Sequence, residues 1–90
     1  MPQVQFTSHL KTLFPDLDEL VVPGETVAEV IHELDRRYPR IAEYLLDERG
    51  ALRQHVNIFI GESLIRDRIT LSDVVADDET VFVLQALSGG

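Results

Sequence analysis

The chain ends VFVLQALSGG, and its last three residues, Ser88, Gly89 and Gly90, are the ones whose chemistry least resembles that of a folding element. A strand-forming run leads straight into them. A glycine pair ordinarily marks a turn, but at a terminus it makes a thin thread that ends in the Gly90 carboxylate. Without a Cβ, glycine backbone approaches another surface closely, so such a thread can enter a channel too narrow for any other residue. Other reactive candidates are few. His9, His32 and His55 fall on different elements, and His32, at the edge of a helical apolar stripe, is expected as a half-buried packing residue. Asp77, Asp78 and Glu79 read as a solvated turn rather than a cation site. HExxH, phosphate-loop and nucleophile-elbow patterns are all missing. No catalytic residue and no metal ligand is assigned. The chain has no cysteine, which excludes disulfides, thiolate metal sites and a cysteine nucleophile. Any sulfur chemistry must use sulfur brought from elsewhere.

The totals narrow the partners. Ninety residues, 44% of them hydrophobic, make one domain with a core. Sixteen acidic residues against eight basic ones give a formal net charge of -8. That opposes nucleic acid and anionic membrane, where affinity comes from cations on phosphate, and favours a partner with a basic docking surface. No stretch approaches the roughly 20 apolar residues of a membrane span. The opening MPQVQFTSHLK lacks a signal-peptide apolar core, so the expected location is the cytoplasm.

The elements that must position the tail follow from periodicity. Val4 and Phe6 alternate with polar neighbours, giving a strand over residues 2–8. Residues 9–17, broken by Pro15, read as a connecting loop that packs through Leu10, Leu13, Phe14 and Leu17. A short strand at 20–22 ends at the Pro23-Gly24 turn. Thr26 and Glu29 form a capping box, and Val27, Val30, Ile31, Leu34 and Tyr38 follow at helical spacing until Pro39. This helix, 26–38, must cover a sheet, because no second long amphipathic helix exists to receive it. One or two further turns start at Ile41. Val56, Ile58 and Ile60 mark a strand over 55–60, Gly61-Glu62 a tight turn, and 63–65 its short partner. Leu71, Val74 and Val75 form a hydrophobic turn before the last strand, 80–87. That strand is apolar on both faces: Val81, Val83 and Leu87 on one, Phe82, Leu84 and Ala86 on the other. It should be central. With one long helix, the Phe82 and Leu84 face is covered by the 11–17 segment or left as an exposed docking patch.

This order gives an α+β fold with the first and last strands adjacent at the centre, the β-grasp (ubiquitin-like) arrangement: a mixed sheet with one main helix packed on one face. Residues 1–87 would form the domain and 88–90 a free Gly-Gly tail. The chain resembles the ubiquitin-like sulfur carriers of the ThiS/MoaD family. The resemblance rests on GETVAEVIHELDRRYP, on HVNIFIGESLIR, on the run LSDVVADDETVFVLQALSGG, and on the terminal Gly89-Gly90. One departure is Asp78, where the family often has glycine. Asp tolerates left-handed geometry better than most residues, so the turn is expected to survive.

The resemblance implies a non-enzymatic carrier that binds no cofactor. An E1-like partner uses ATP to adenylate Gly90, a sulfur donor leaves a thiocarboxylate there, and a synthase accepts the sulfur. Ser88 and Gly89 thread into the partner's active site, and Phe82 and Leu84 are docking candidates. The stretch LLDERGALRQHVNIFIGESLIR looks most like the carriers that feed cysteine synthesis, with the molybdopterin synthase small subunit as the alternative. A second class is a ubiquitin-like modifier that forms isopeptide bonds through Gly90. Lys11, the only lysine, would be the single side-chain acceptor for chains of such a modifier.

Overall fold

The computed structural model describes residues 1–85, with the His9 side chain left aside. A five-stranded mixed sheet carries the fold. Its strands are β1 (Gln3–Phe6), β2 (Leu20–Val21), β3 (Val56–Ile60), β4 (Ser63–Leu64) and β5 (Thr80–Gln85), in the spatial order β2-β1-β5-β3-β4. β5 occupies the centre, parallel to β1 and antiparallel to β3. The β-grasp expectation holds, including the neighbouring first and last strands. Strand ends are shorter than the periodicity suggested. Ala86 and Leu87, assigned to the last strand, lie outside the described residues, as do Ser88, Gly89 and Gly90.

The main helix, α2 (Val27–Arg37), starts and stops for local reasons. Thr26 Oγ1 accepts from the Glu29 N–H at 3.3 Å, while Glu29 Oε1 reaches back to the Glu25 N–H at 2.9 Å, one residue before the cap. Backbone carbonyls of Asp73 and Leu71 take the N–H groups of Val27 and Ala28, so the first turn is satisfied on two sides. Leu71 accepts a left-handed backbone, φ 58°, to make this contact; its side chain is buried. At the far end the Tyr38 N–H closes on the Leu34 carbonyl, and Pro39 prevents continuation. Val27, Val30, Ile31 and Leu34 are buried together with Phe6, Val56, Ile58 and Val83, as the helical stripe requires. A short helix α3 (Ile41–Leu45) follows, its Ala42 N–H capped by Asp35 Oδ1 of α2 at 3.0 Å.

Two expectations change, and a third is met by a different geometry. Residues 9–17 are not all loop, because Ser8–Leu13 forms a helix, α1. Leu10, Leu13 and Phe14 stand at i, i+3 and i+4, which is helical spacing; Pro15 ends the pattern before it lengthens. Leu10 and Leu17 enter the same core as α2 and α3, and Phe14 packs edge-on against Tyr44 with ring centroids 5.9 Å apart. This segment therefore lies on the helical side of the sheet. In the 71–75 turn, Leu71 and Val75 are buried but Val74 is 74% exposed. Asp78 does not adopt a left-handed backbone; among the described non-glycine residues only Arg40 and Leu71 have positive φ. The acidic turn closes instead by Glu79, whose N–H donates to the Ala76 carbonyl and whose carboxylate accepts from the Ala76 N–H.

Candidate functional site

β5 is the structural base of the C-terminal segment. Pairing on both sides fixes it: Phe6↔Val83 with β1, and Asn57↔Leu84 and Val56↔Gln85 with β3. Six residues of strand thus carry the chain to Gln85, five residues before Gly90.

Side-chain alternation sorts β5 into two faces. Val81 and Val83 point into the core. Phe82 and Leu84 lie on the opposite face, and both are half-buried. Cross-strand partners share a face, so Phe59, paired with both Phe82 and Leu64, extends the patch to the β4 edge. On the other side Gln5, opposite Phe82, interrupts it. The result is an apolar patch of Leu84, Phe82, Phe59 and Leu64 on the face away from the core helices. Leu64 is 49% exposed. Phe59 and Leu64 were not singled out from the sequence. Alternation along β3 places Phe59 on the face opposite Val56 and Ile58, and only sheet register joins it to Phe82.

The loops around this base are held by ionised and polar groups. Arg68, half-buried, donates to Asn57 Oδ1 at 3.1 Å and to the carbonyls of Arg53 and Val56 at 2.8 and 2.9 Å. It thereby ties the 66–73 loop to the start of β3. Asp67 accepts from the hydroxyls of Ser72 and Thr70 and from the N–H groups of Ile69, Thr70 and Ser72. These donors, the Ser72 hydroxyl foremost, hold its carboxyl far below the usual range. The Arg49 and Ala51 N–H groups lower Asp47 in the same way.

The other candidates stay apart. His32 is exposed rather than half-buried, because its position on α2 falls outside the buried stripe. It lines a shallow depression with Pro23, Gly24, Ala28, Glu29 and Glu33. His55 borders a separate cavity of about 250 Å³ with Glu43, Tyr44, Arg53 and Gln85. Among the described residues no group of three His, Cys, Asp or Glu is placed to hold a metal ion, and no helix is long and apolar enough to cross a membrane. Asp77 forms an ion pair with the Met1 amine at 3.2 Å.

Comparison with known proteins gives a consistent result. The ThiS family matches residues 4–90. The sulfur carrier protein CysO of Mycobacterium tuberculosis (strain ATCC 25618 / H37Rv) is 35% identical over 69 residues, covering 74% of each chain. The crystal structure of Mycobacterium tuberculosis CysO superposes with a TM-score of 0.83 at 27% identity, over 97% of this chain and 100% of that one. A chain from the Amycolatopsis orientalis BexX/CysO complex superposes with a TM-score of 0.85 at 25% identity, over 100% of both.

Proposed function

The chain belongs to the ThiS family, and from that premise we propose that it is a sulfur carrier whose Gly90 carboxylate is the reactive group. The observation that carries this reading is the family match itself, which runs through the central strand to Gly90. Relatives named as sulfur carriers share the sequence and the fold.

The chemistry follows from what a carboxylate lacks. Its carbonyl carbon is a poor electrophile. In the proposed cycle a Gly90 oxygen attacks the α-phosphorus of ATP in an E1-like enzyme, and pyrophosphate leaves. A sulfur nucleophile then attacks the acyl carbon, the C–O bond to phosphate breaks, and AMP leaves. With hydrosulfide as the nucleophile, the S–H proton passes to water and Gly90 carries a thiocarboxylate; with a persulfide, a thiol reductant cleaves the S–S bond of the acyl disulfide to give the same group, which delivers sulfur to an acceptor. ATP binds to the partner, and the chain supplies no acid, base or metal ligand. Ser88 and Gly89 thread the partner's channel. Phe82 and Leu84, with Phe59 and Leu64 beside them, are the proposed docking patch, since large apolar side chains anchor interfaces. The likeness to CysO favours the branch that feeds cysteine synthesis.

The test is ATP-dependent pyrophosphate release with the cognate adenylating enzyme, followed by intact-mass detection of one oxygen replaced by sulfur after a sulfur donor is added. Deleting Gly90 should abolish both. Normal rates from the deletion variant would refute the carrier reading.

A further inference from the structure

The 66–73 loop fixes a cation in a protein dominated by acids. Arg68 is half-buried, and its three hydrogen bonds go to Asn57 Oδ1 and to the carbonyls of Arg53 and Val56, all neutral acceptors. Among the described residues no carboxylate forms an ion pair with it, although acids outnumber bases sixteen to eight in the chain. The acids of its own loop are engaged elsewhere. Asp67 accepts from the hydroxyls and N–H groups of Thr70 and Ser72. Asp73 accepts from the N–H groups of Arg66 and Asp67. The loop thus spends its carboxylates on its own backbone and leaves the guanidinium without a counter-ion. Holding a half-buried cation in this way costs free energy that carbonyl dipoles only partly offset.

The placement gives the charge a context. β4 pairs only with Phe59 and Ile60, so β3 runs past it at Val56 and Asn57, and Arg68 takes the Val56 carbonyl there. Asn57 stands opposite Leu84 on β5. Because Val56 and Ile58 are buried, alternation puts Asn57 on the same face as Phe59, Phe82 and Leu84. The guanidinium therefore stands one side chain from the apolar patch, on its border. Its Nε–H and second Nη1–H have no acceptor among the described residues, so donors remain for an outside group.

We propose that Arg68 is a specificity-determining docking residue, which receives the carboxylate of an Asp or Glu side chain from the adenylating enzyme that covers the patch. The inference rests on the carrier and docking readings above. Charge complementarity carries it. The net charge of -8 draws in a basic surface, but a surface basic throughout would bring a like charge onto Arg68 as water is excluded, which is disfavoured. An acid at that one place supplies the missing counter-ion through a charge-assisted hydrogen bond. The apolar side chains then provide contact area, and the cation fixes register and rejects enzymes that lack the acid, so that repulsion contributes to selectivity as well as attraction.

The experiment moves the counter-ion into the chain. Asn57→Asp keeps an acceptor oxygen where Nη1 already donates and adds a carboxylate at the guanidinium, so the loop keeps its anchor. The urea midpoint should hold or rise. Affinity of the full chain for the adenylating enzyme, by calorimetry, should fall about tenfold or more, the scale of close interfacial charge pairs. KM for the carrier in ATP-dependent pyrophosphate release should rise by the same factor with kcat unchanged. A companion set of enzyme variants, each with one surface Asp or Glu changed to Asn or Gln, locates the acid. One of them should bind the parent chain about tenfold more weakly and bind the Asn57→Asp chain no more weakly than the unaltered enzyme does. Parent-like affinity of Asn57→Asp overturns the inference and leaves Arg68 as an anchor of its loop. So does a loss that no enzyme variant couples to, which is then the cost of a charge on an apolar surface. Should Asn57→Asp fail to fold, Arg68→Lys, which keeps the charge, is compared with Arg68→Gln, which removes it, and equal affinities overturn the inference. Parent-like affinity of both Asn57→Asp and Leu84→Asp overturns the patch as the dock. Absence of pyrophosphate release from the parent chain overturns the carrier reading, and the inference falls with it.

Discussion

Gly24 and Asp67 are single residues that hold larger pieces in place. A Cβ at Gly24 would stand 2.9 Å from Val30 Cγ2 and 3.0 Å from the Val30 nitrogen. Val30 is fully buried in the first turns of α2, so the clash can be relieved only by moving the helix or the Pro23-Gly24 turn. Gly24→Ala should therefore destabilise the fold by roughly 1–3 kcal/mol, as overpacking does, read as a lower denaturant midpoint. Asp67 acts through charge. Its carboxylate accepts from the hydroxyls of Ser72 and Thr70 and from the Thr70 and Ser72 N–H groups, which depresses its pKa in the folded state. A group depressed on folding contributes stability above its unfolded value, near 3.9 for Asp, and loses it as pH falls through the lowered folded value. The parent protein should lose stability progressively below about pH 4, whereas Asp67→Asn should show a flatter acid limb. Urea midpoints measured from neutral to strongly acidic pH would show it. Equal slopes for the two proteins would assign the acid sensitivity to other carboxylates.

At the scale of elements, α2 is the part most directly written in the sequence. Thr26, Glu29 and the 3.6-residue stripe act locally, and each local signal matches what is buried. Leu34 has no exposed surface, so Leu34→Ala should reduce stability by roughly 2–5 kcal/mol; an unchanged denaturant midpoint would contradict its burial. The strands were legible from alternation, and β5 from being apolar on both faces. α1 was not, because six residues before Pro15 give barely one full repeat of a helical pattern. The exposure of Val74 was hidden for a different reason: within an irregular turn no period says which side chain turns inward. The Arg68 anchor was out of reach altogether. Its partners Asn57, Val56 and Arg53 are 11 to 15 residues away, and only the folded loop brings the guanidinium to them. The candidate site divides in the same manner. Phe82 and Leu84 were visible in one strand, while Phe59 and Leu64 join them only through cross-strand register.

Across the whole molecule, one face of the sheet is buried under helices and the other presents apolar side chains on a strongly acidic protein. Leu84 is the best place to ask what that second face is for. Of its neighbours on β5, Val83 is held by ladders on both sides and Gln85 by β3, and its own side chain points away from the core. If the patch docks the adenylating enzyme, Leu84→Asp removes an apolar anchor and buries a charge in its place. Partner affinity should then fall by 2 kcal/mol or more, roughly thirtyfold, as for an interface hot spot. The fold should lose about 1 kcal/mol, the centre of the distribution for point mutations, because Leu84 is half-buried. Binding measured by calorimetry and stability measured by urea unfolding separate the two effects; unfolding of the variant would instead place Leu84 among the residues that hold the domain together. The net charge of -8 makes a distinct claim on the same complex. Charge steering acts mainly on encounter, and salt screens it over about 8 Å at physiological ionic strength. The association rate with a basic partner should therefore fall as salt is raised, while Leu84→Asp should act chiefly on dissociation. Stopped-flow binding of the parent and the Leu84→Asp chain across a salt series resolves the two contributions. An association rate indifferent to salt would leave the acidity without a role in docking and the apolar patch as its sole determinant.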